Sequence, residues 1–196
     1  MKNNRLILLL FLLISIISQA QTTTFGDSKP EEFEFLPYEG SRIIQGFRVD
    51  MGNEKFCIVY SKPAKGITPD TIFIQEYKKD GLEWKQNLKD KRSSNNTIFI
   101  WGKRGGFFTD DAKIGIAYTA FSEENLETEE RFIVGYFILY KDKVFTLEEN
   151  KNGKMTKSSN YNELPLKAQE RVIVLSTETV CQDKSKAAAE SNSVNV

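Results

Sequence analysis

From Phe33 onward the chain consists of short aromatic and β-branched runs separated by turn residues, the pattern of strands rather than helices. Arg42–Asp50 reads as a strand and Met51-Gly52-Asn53 as the turn that ends it. Lys55–Ser61 is a second strand, apolar on both faces, and residues 62–69 form a proline-containing loop. Thr71–Lys78 alternates: Ile72, Ile74 and Glu76 share one face, Phe73, Gln75 and Tyr77 the other. Side chains of a pleated strand point to opposite faces in turn, so this is the spacing of a strand. Asp80-Gly81 marks a tight hairpin into Leu82-Glu83-Trp84, because such pairs accept the left-handed backbone of two-residue turns. Residues 89–96 are polar and read as exposed. Thr97–Trp101 is a further strand, with a turn expected at Arg104-Gly105-Gly106. Lys113–Phe121 follows and leads into an acidic loop, Ser122–Glu130. Arg131–Tyr140 and Lys143–Leu147 form a hairpin about Lys141-Asp142, and Asn152-Gly153 marks another turn.

About eight or nine strands joined by short links predict an antiparallel meander. The fold class is mainly β: a curled sheet, sandwich or partial barrel with a C-terminal α-helix. The helix is expected after Asn162-Glu163-Leu164-Pro165, with proline near its first turn. Leu164, Ala168, Val172 and Leu175 then fall on one helical face. The β-branched residues in Arg171–Val174 favour a strand instead, and the face pattern decides for helix. No strand–helix alternation of a parallel sheet is visible.

The N-terminus adds a destination. Met1–Arg5 carries two positive charges, Leu6–Ile17 is a stretch of twelve, apolar except for Ser15, and Ser18-Gln19-Ala20 ends it with small residues at its first and third places. These are the parts of a secretory signal peptide over residues 1–20, with cleavage before Gln21. A spanning helix needs about 20 apolar residues, so no transmembrane anchor is expected. A lipid anchor would need a cysteine just after the run, and the first is Cys57. The expected destinations are the periplasm, the outer-envelope surface or the extracellular medium. The expected organisation is a flexible lead-in over 21–32, one mainly-β domain over 33–181 and a disordered polar tail over 182–196.

The whole chain balances 27 basic against 27 acidic residues, and loss of Lys2 and Arg5 leaves a slight acidic excess. Nucleic-acid binding shows a basic excess, so no nucleic-acid partner is expected. There is no histidine, which removes histidine-based triads, metal sites and pH switches. Cys57 and Cys181 are the two cysteines. An oxidising compartment permits a bridge between them, and a buried free thiol is the alternative. Carboxylate, lysine or tyrosine chemistry remains, as do metals held by oxygen ligands.

Two acidic turns echo each other: Asp50-Met51-Gly52-Asn53-Glu54 before Phe56–Tyr60, and Asp110-Asp111 before Ile114–Tyr118. Neither supplies the six or more oxygens of a calcium site, and both read as turn residues that start a strand. No metal, cofactor or catalytic residue is assigned. Most of the acids cluster in runs such as Glu123-Glu124 and Glu127, Glu129, Glu130, without the fixed pair that glycoside hydrolysis uses. Gly105-Gly106-Phe107-Phe108 places two large rings at consecutive positions. In a strand they cannot both point inward, so Phe107 and Phe108 are the candidate binding residues, unless a second buried layer such as the C-terminal helix covers one of them. Asn95-Asn96-Thr97 matches a glycosylation acceptor and is expected to be idle.

Tyr38-Glu39-Gly40, the Asp50 turn with its Phe56–Tyr60 strand, and the Asp110-Asp111 turn with its Ile114–Tyr118 strand form a series. Val144-Phe145-Thr146-Leu147 and the Leu164-Pro165 helix start extend it. Over residues 38–176 the chain resembles small exported, poorly characterised envelope proteins of Gram-negative bacteria, sometimes labelled surface-polysaccharide biosynthesis proteins. The resemblance implies an envelope role and no catalytic residue. The expected function is therefore noncatalytic binding of an envelope glycan or protein partner. A lipocalin-like carrier of a small apolar ligand is the alternative, although the Gly-x-Trp start is missing and Trp101-Gly102 is reversed. A carboxylate-based glycoside hydrolase is the third reading.

Overall fold

The computed structural model describes residues 24–52 and 54–176. The expected signal peptide and cleavage site, Cys181 and the expected tail lie outside the described residues. The described residues form two five-stranded antiparallel sheets. The first contains β1 (Thr24–Ser28), β2 (Arg42–Asp50), β3 (Lys55–Lys62), β4 (Asp70–Asp80) and β5 (Glu83–Ser94), in that order. The second contains β6 (Thr97–Thr109), β7 (Gly115–Asn125), β8 (Glu130–Tyr140), β9 (Lys143–Asn150) and β10 (Met155–Lys157), again in chain order. Every strand neighbours its successor within its sheet, so the fold is the expected antiparallel meander. It is closed by a C-terminal helix, α1, over 166–176.

The apolar pattern accounts for the layering. Phe47, Ile58, Tyr60, Ile74, Phe121 and Phe137 fill the space between the sheets, with the Phe121 and Phe137 rings stacked at 4.1 Å. The opposite face of β3 carries Cys57 and Val59, which pack with Tyr77 beneath Phe33 and Leu36. The opposite face of the second sheet carries Tyr136, Ile138 and Phe145, which pack against Leu164, Ala168 and Val172. Lys55–Ser61 is thus apolar on both faces because both faces are covered. Each fully buried Val, Leu, Ile or Phe contributes about 1.5–3 kcal/mol, so the two outer layers are substantial parts of the core. The expected helical face is the docked one: Ala168 and Val172 are fully buried.

Four segments differ from expectation. Thr24–Ser28 lies within the supposed flexible lead-in, yet it pairs with β2, and Pro30–Phe33 forms a 3-10 turn that seats Phe33 against Gly46. Residues 89–94 continue β5 rather than forming a loop. They are polar because β5 is an edge strand with Leu88 as its one buried apolar residue. Arg104-Gly105-Gly106 does not reverse the chain; it lies inside β6, where a bulge between Trp101 and Gly105 shifts the register. The acidic loop is shorter than expected. Ser122–Asn125 belongs to β7, with Glu123 buried.

Buried charge ties the sheets together. The Arg92 guanidinium on β5 donates to Glu123 at 2.5 Å and, in a fork, to Glu148 at 2.6 and 3.2 Å. Lys62 donates to Asp70 and to the Ile98 carbonyl, both at 2.5 Å. Intact buried pairs of this kind add little net stability over apolar packing but fix which groups must meet.

Candidate functional site: a cleft between the sheets

At the end of the molecule formed by the β2–β3, β6–β7 and β8–β9 turns, the inner faces stop being apolar. On β4 the inward series Ile72, Ile74 continues into Glu76 and Lys78, and Glu54 stands just before β3 on the cleft side. Charged side chains cannot close against one another as isoleucines do without a large desolvation cost. The sheets part there, leaving a cleft of about 520 Å³. Its floor is apolar, with Val49, Phe56, Ile58, Phe107, Ala117 and Leu139.

One wall is built by a bulge. Glu76 pairs with Leu88 and Tyr77 with Gln86, so Asn87 has no partner across the ladder. A bulge of this kind re-aims a side chain, and here Asn87 turns into the cleft beside Glu76. The Asn87 amide nitrogen donates to Glu76 at 2.6 Å and to Asp142 at 2.8 Å. Asp142 reaches this point because Lys141 and Asp142 both adopt left-handed backbone, with φ of 48° and 58°, in the two-residue β8–β9 hairpin. One amide therefore links β5 to the tip of the opposite sheet.

Electrostatically, Glu76 is the unusual member. Burial pushes its carboxyl above the ordinary carboxylate value, the Asn87 hydrogen bond opposes this, and the Asp142 charge adds to it. The Lys78 charge also draws it down, although the Lys78 ammonium donates to Glu54 at 2.5 Å and lies 5.4 Å from the centre of the Phe56 ring. Among the described residues no lysine or arginine is paired with Glu76 or Asp142. Lys113 and Lys141 stand exposed at the mouth.

The two candidate rings separate. Phe107 is half-buried on the inner face and lines the cleft. Phe108 is half-buried on the outer face, beneath α1, with the Arg171 guanidinium 4.5 Å from its ring centre. They form no shared surface patch, and the C-terminal helix is the second layer that covers Phe108. The sequence reading missed Glu76, Asn87 and Asp142 as members of one site. The available signal was a carboxylate on the apolar face of Thr71–Lys78.

The echoed acidic turns act as turns. Asp50 accepts from the Gly52 backbone at 2.8 Å and pairs with Lys55 at 2.8 Å. Asp110 accepts from the Ile114 backbone at 2.7 Å and from the Tyr140 hydroxyl at 2.9 Å. Among the described residues no group of three or more acids and cysteines is placed to hold a metal ion. No helix among them is long and apolar enough to cross a membrane. Compared with family models, with curated proteins and with solved structures, the chain gives no match.

Proposed function

We propose that this is an exported, noncatalytic envelope protein that binds a glycan, and that the ligand sits in the inter-sheet cleft. The observation that carries the reading is the mixed lining: an apolar, partly aromatic floor beneath hydrogen-bonding walls. A sugar ring presents an apolar face and a rim of hydroxyls. Phe107 and Phe56 offer the surface for the first, and Glu76, Asn87 and Asp142 offer partners for the second. Pockets of this size with a few convergent polar groups are the ordinary seats of small ligands. A purely apolar cargo would strip water from Glu76 and return no hydrogen bond, which weighs against the lipocalin-like carrier. Export to the periplasm, outer surface or medium rests on the charged and apolar leader over residues 1–20.

A second reading has one observation in its favour. Glu76, held toward its protonated form, shares an amide with Asp142, and glycosidases pair a protonated with an ionised carboxyl. The same experiment separates the two. Amide shifts are followed while a panel of neutral and amino-sugar oligosaccharides is added, and the sugars are then recovered and weighed by mass spectrometry. Shifts confined to the cleft with intact sugar support binding. Shortened sugar gives the hydrolase reading, and an unperturbed cleft refutes the saccharide site.

A further inference from the structure

The glycan reading leaves open which chemistry the cleft selects, and the arrangement of acceptors speaks to it. The Asn87 amide faces both carboxylates with its nitrogen, and its oxygen is left buried without a hydrogen-bond partner. The reverse orientation would set that oxygen against two carboxylate oxygens, so the amide is fixed by anions on its other side. Among the described residues Glu76 accepts through one oxygen only, Oε1 from Asn87. The Lys78 charge reaches Glu76, but its ammonium is hydrogen-bonded to Glu54, and among the described residues no lysine or arginine forms an ion pair with Glu76 or Asp142. Phe56, Phe107 and Tyr140 also line the cleft; Lys78 lies 5.4 Å from the Phe56 ring centre and Lys141 5.1 Å from that of Tyr140, so Phe107 is the aromatic face offered to a ligand cation. Lys113 and Lys141 also line the cleft but lie out in solvent, where their repulsion is screened.

Resting on the reading of the cleft as the ligand seat, we infer that it selects a ligand carrying a primary ammonium group, seated between Glu76 and Asp142. In saccharide terms the preferred ligand is a sugar with a free amine rather than its N-acetyl form. The ammonium supplies a donor to the Glu76 oxygen that accepts none, with Asp142 exposed at the rim as its second acceptor; charge-assisted hydrogen bonds of this kind are the strong ones.

Calorimetric titration tests this with two matched pairs at near-neutral pH and about 0.15 M salt, where long-range attraction is damped. The first pair is the glucosamine trimer and the N-acetylglucosamine trimer. The second is n-hexylammonium and n-hexanol. The amine of each pair is expected to bind at least about tenfold more tightly, a difference of about 1.4 kcal/mol. Glu76→Gln keeps the shape and the Asn87 bond and should remove most of that preference, weakening the glucosamine trimer far more than the N-acetyl trimer. Glu31→Gln, an exposed acid outside the cleft, should change neither. Melting curves check that both variants fold. Equal affinity for the two trimers overturns the ammonium inference and leaves the saccharide reading intact. Binding of hexylammonium but of neither trimer supports the inference and ends the saccharide reading. Failure of both amines, or a preference untouched by Glu76→Gln, overturns the inference.

Discussion

Glu76 occupies the position where the alternation of β4 calls for another aliphatic side chain. Its carboxyl is held above its ordinary value chiefly by burial, so the folded chain holds that proton more tightly than the unfolded chain does. The ionised group therefore opposes folding, and the opposition fades as pH falls through the raised folded value toward the unfolded value of about 4.3. Glu76→Gln is accordingly expected to melt above wild type at neutral pH, with the advantage vanishing near pH 4. A lower melting temperature for the variant at neutral pH would show that the ionised carboxylate is a structural need rather than a tolerated cost. This residue was legible in part: its face follows from Ile72 and Ile74. Asn87 was not, because nothing in Lys85-Gln86-Asn87-Leu88 announces a bulge, and without the bulge Asn87 would point away from Leu88's face. Cys57 is the converse case, a thiol in an apolar run that proves fully buried, with burial pushing it up to about 11.

At the scale of the element, β6 shows how two consecutive rings are both accommodated. The sequence places Phe107 and Phe108 on opposite faces but cannot say that each face has its own cover. A Cβ on Gly106 would lie 2.3 Å from the Tyr118 hydroxyl, and one on Gly115 would lie 2.6 Å from the Phe107 ring. These glycines therefore admit the aromatic side chains around them rather than turning the chain. The two rings should then separate in experiment. Phe108→Ala is expected to cost about 1–2 kcal/mol, below the about 3–5 of a fully buried ring, with spectral changes near α1 and saccharide binding retained. Phe107→Ala should weaken binding in the cleft. A folded Phe108→Ala protein that no longer binds would return the ligand to the outer face. The same contrast explains which strands were readable. β3, β4 and β8 announce themselves by apolar runs, whereas β1 and the far half of β5 are edge segments whose pairing comes from backbone hydrogen bonds and neighbours, not from their side chains.

For the whole molecule, the described chain is a stack: the N-terminal segment, the first sheet, the central core, the second sheet and α1. The central core holds the sheets together over most of their length and opens only where the inner face becomes charged. The outer layers let both sheets be apolar on their far sides, and this makes α1 a structural cover rather than part of the cleft. That division is testable with two adjacent residues. Val172 is fully buried against the second sheet, whereas Ile173 is 40% exposed. Val172→Asp would place a carboxylate in an apolar seam, and the helix is expected to release rather than bury the charge. Tyr136, Ile138 and Phe145 would then face water, giving strong binding of a hydrophobic dye, self-association and a loss of about 3 kcal/mol or more. Ile173→Asp carries the same charge on the solvent side and should stay within about 0.5 kcal/mol of wild type. Hydrogen exchange adds the decisive detail. In Val172→Asp the amides of α1 should lose protection while those of β3 and β4 keep theirs, because Ile58, Tyr60 and Ile74 pack in the central core and not against the helix. If both variants behave alike, α1 is not docked on the second sheet. If protection collapses throughout, the helix and the central core form one cooperative unit rather than two layers.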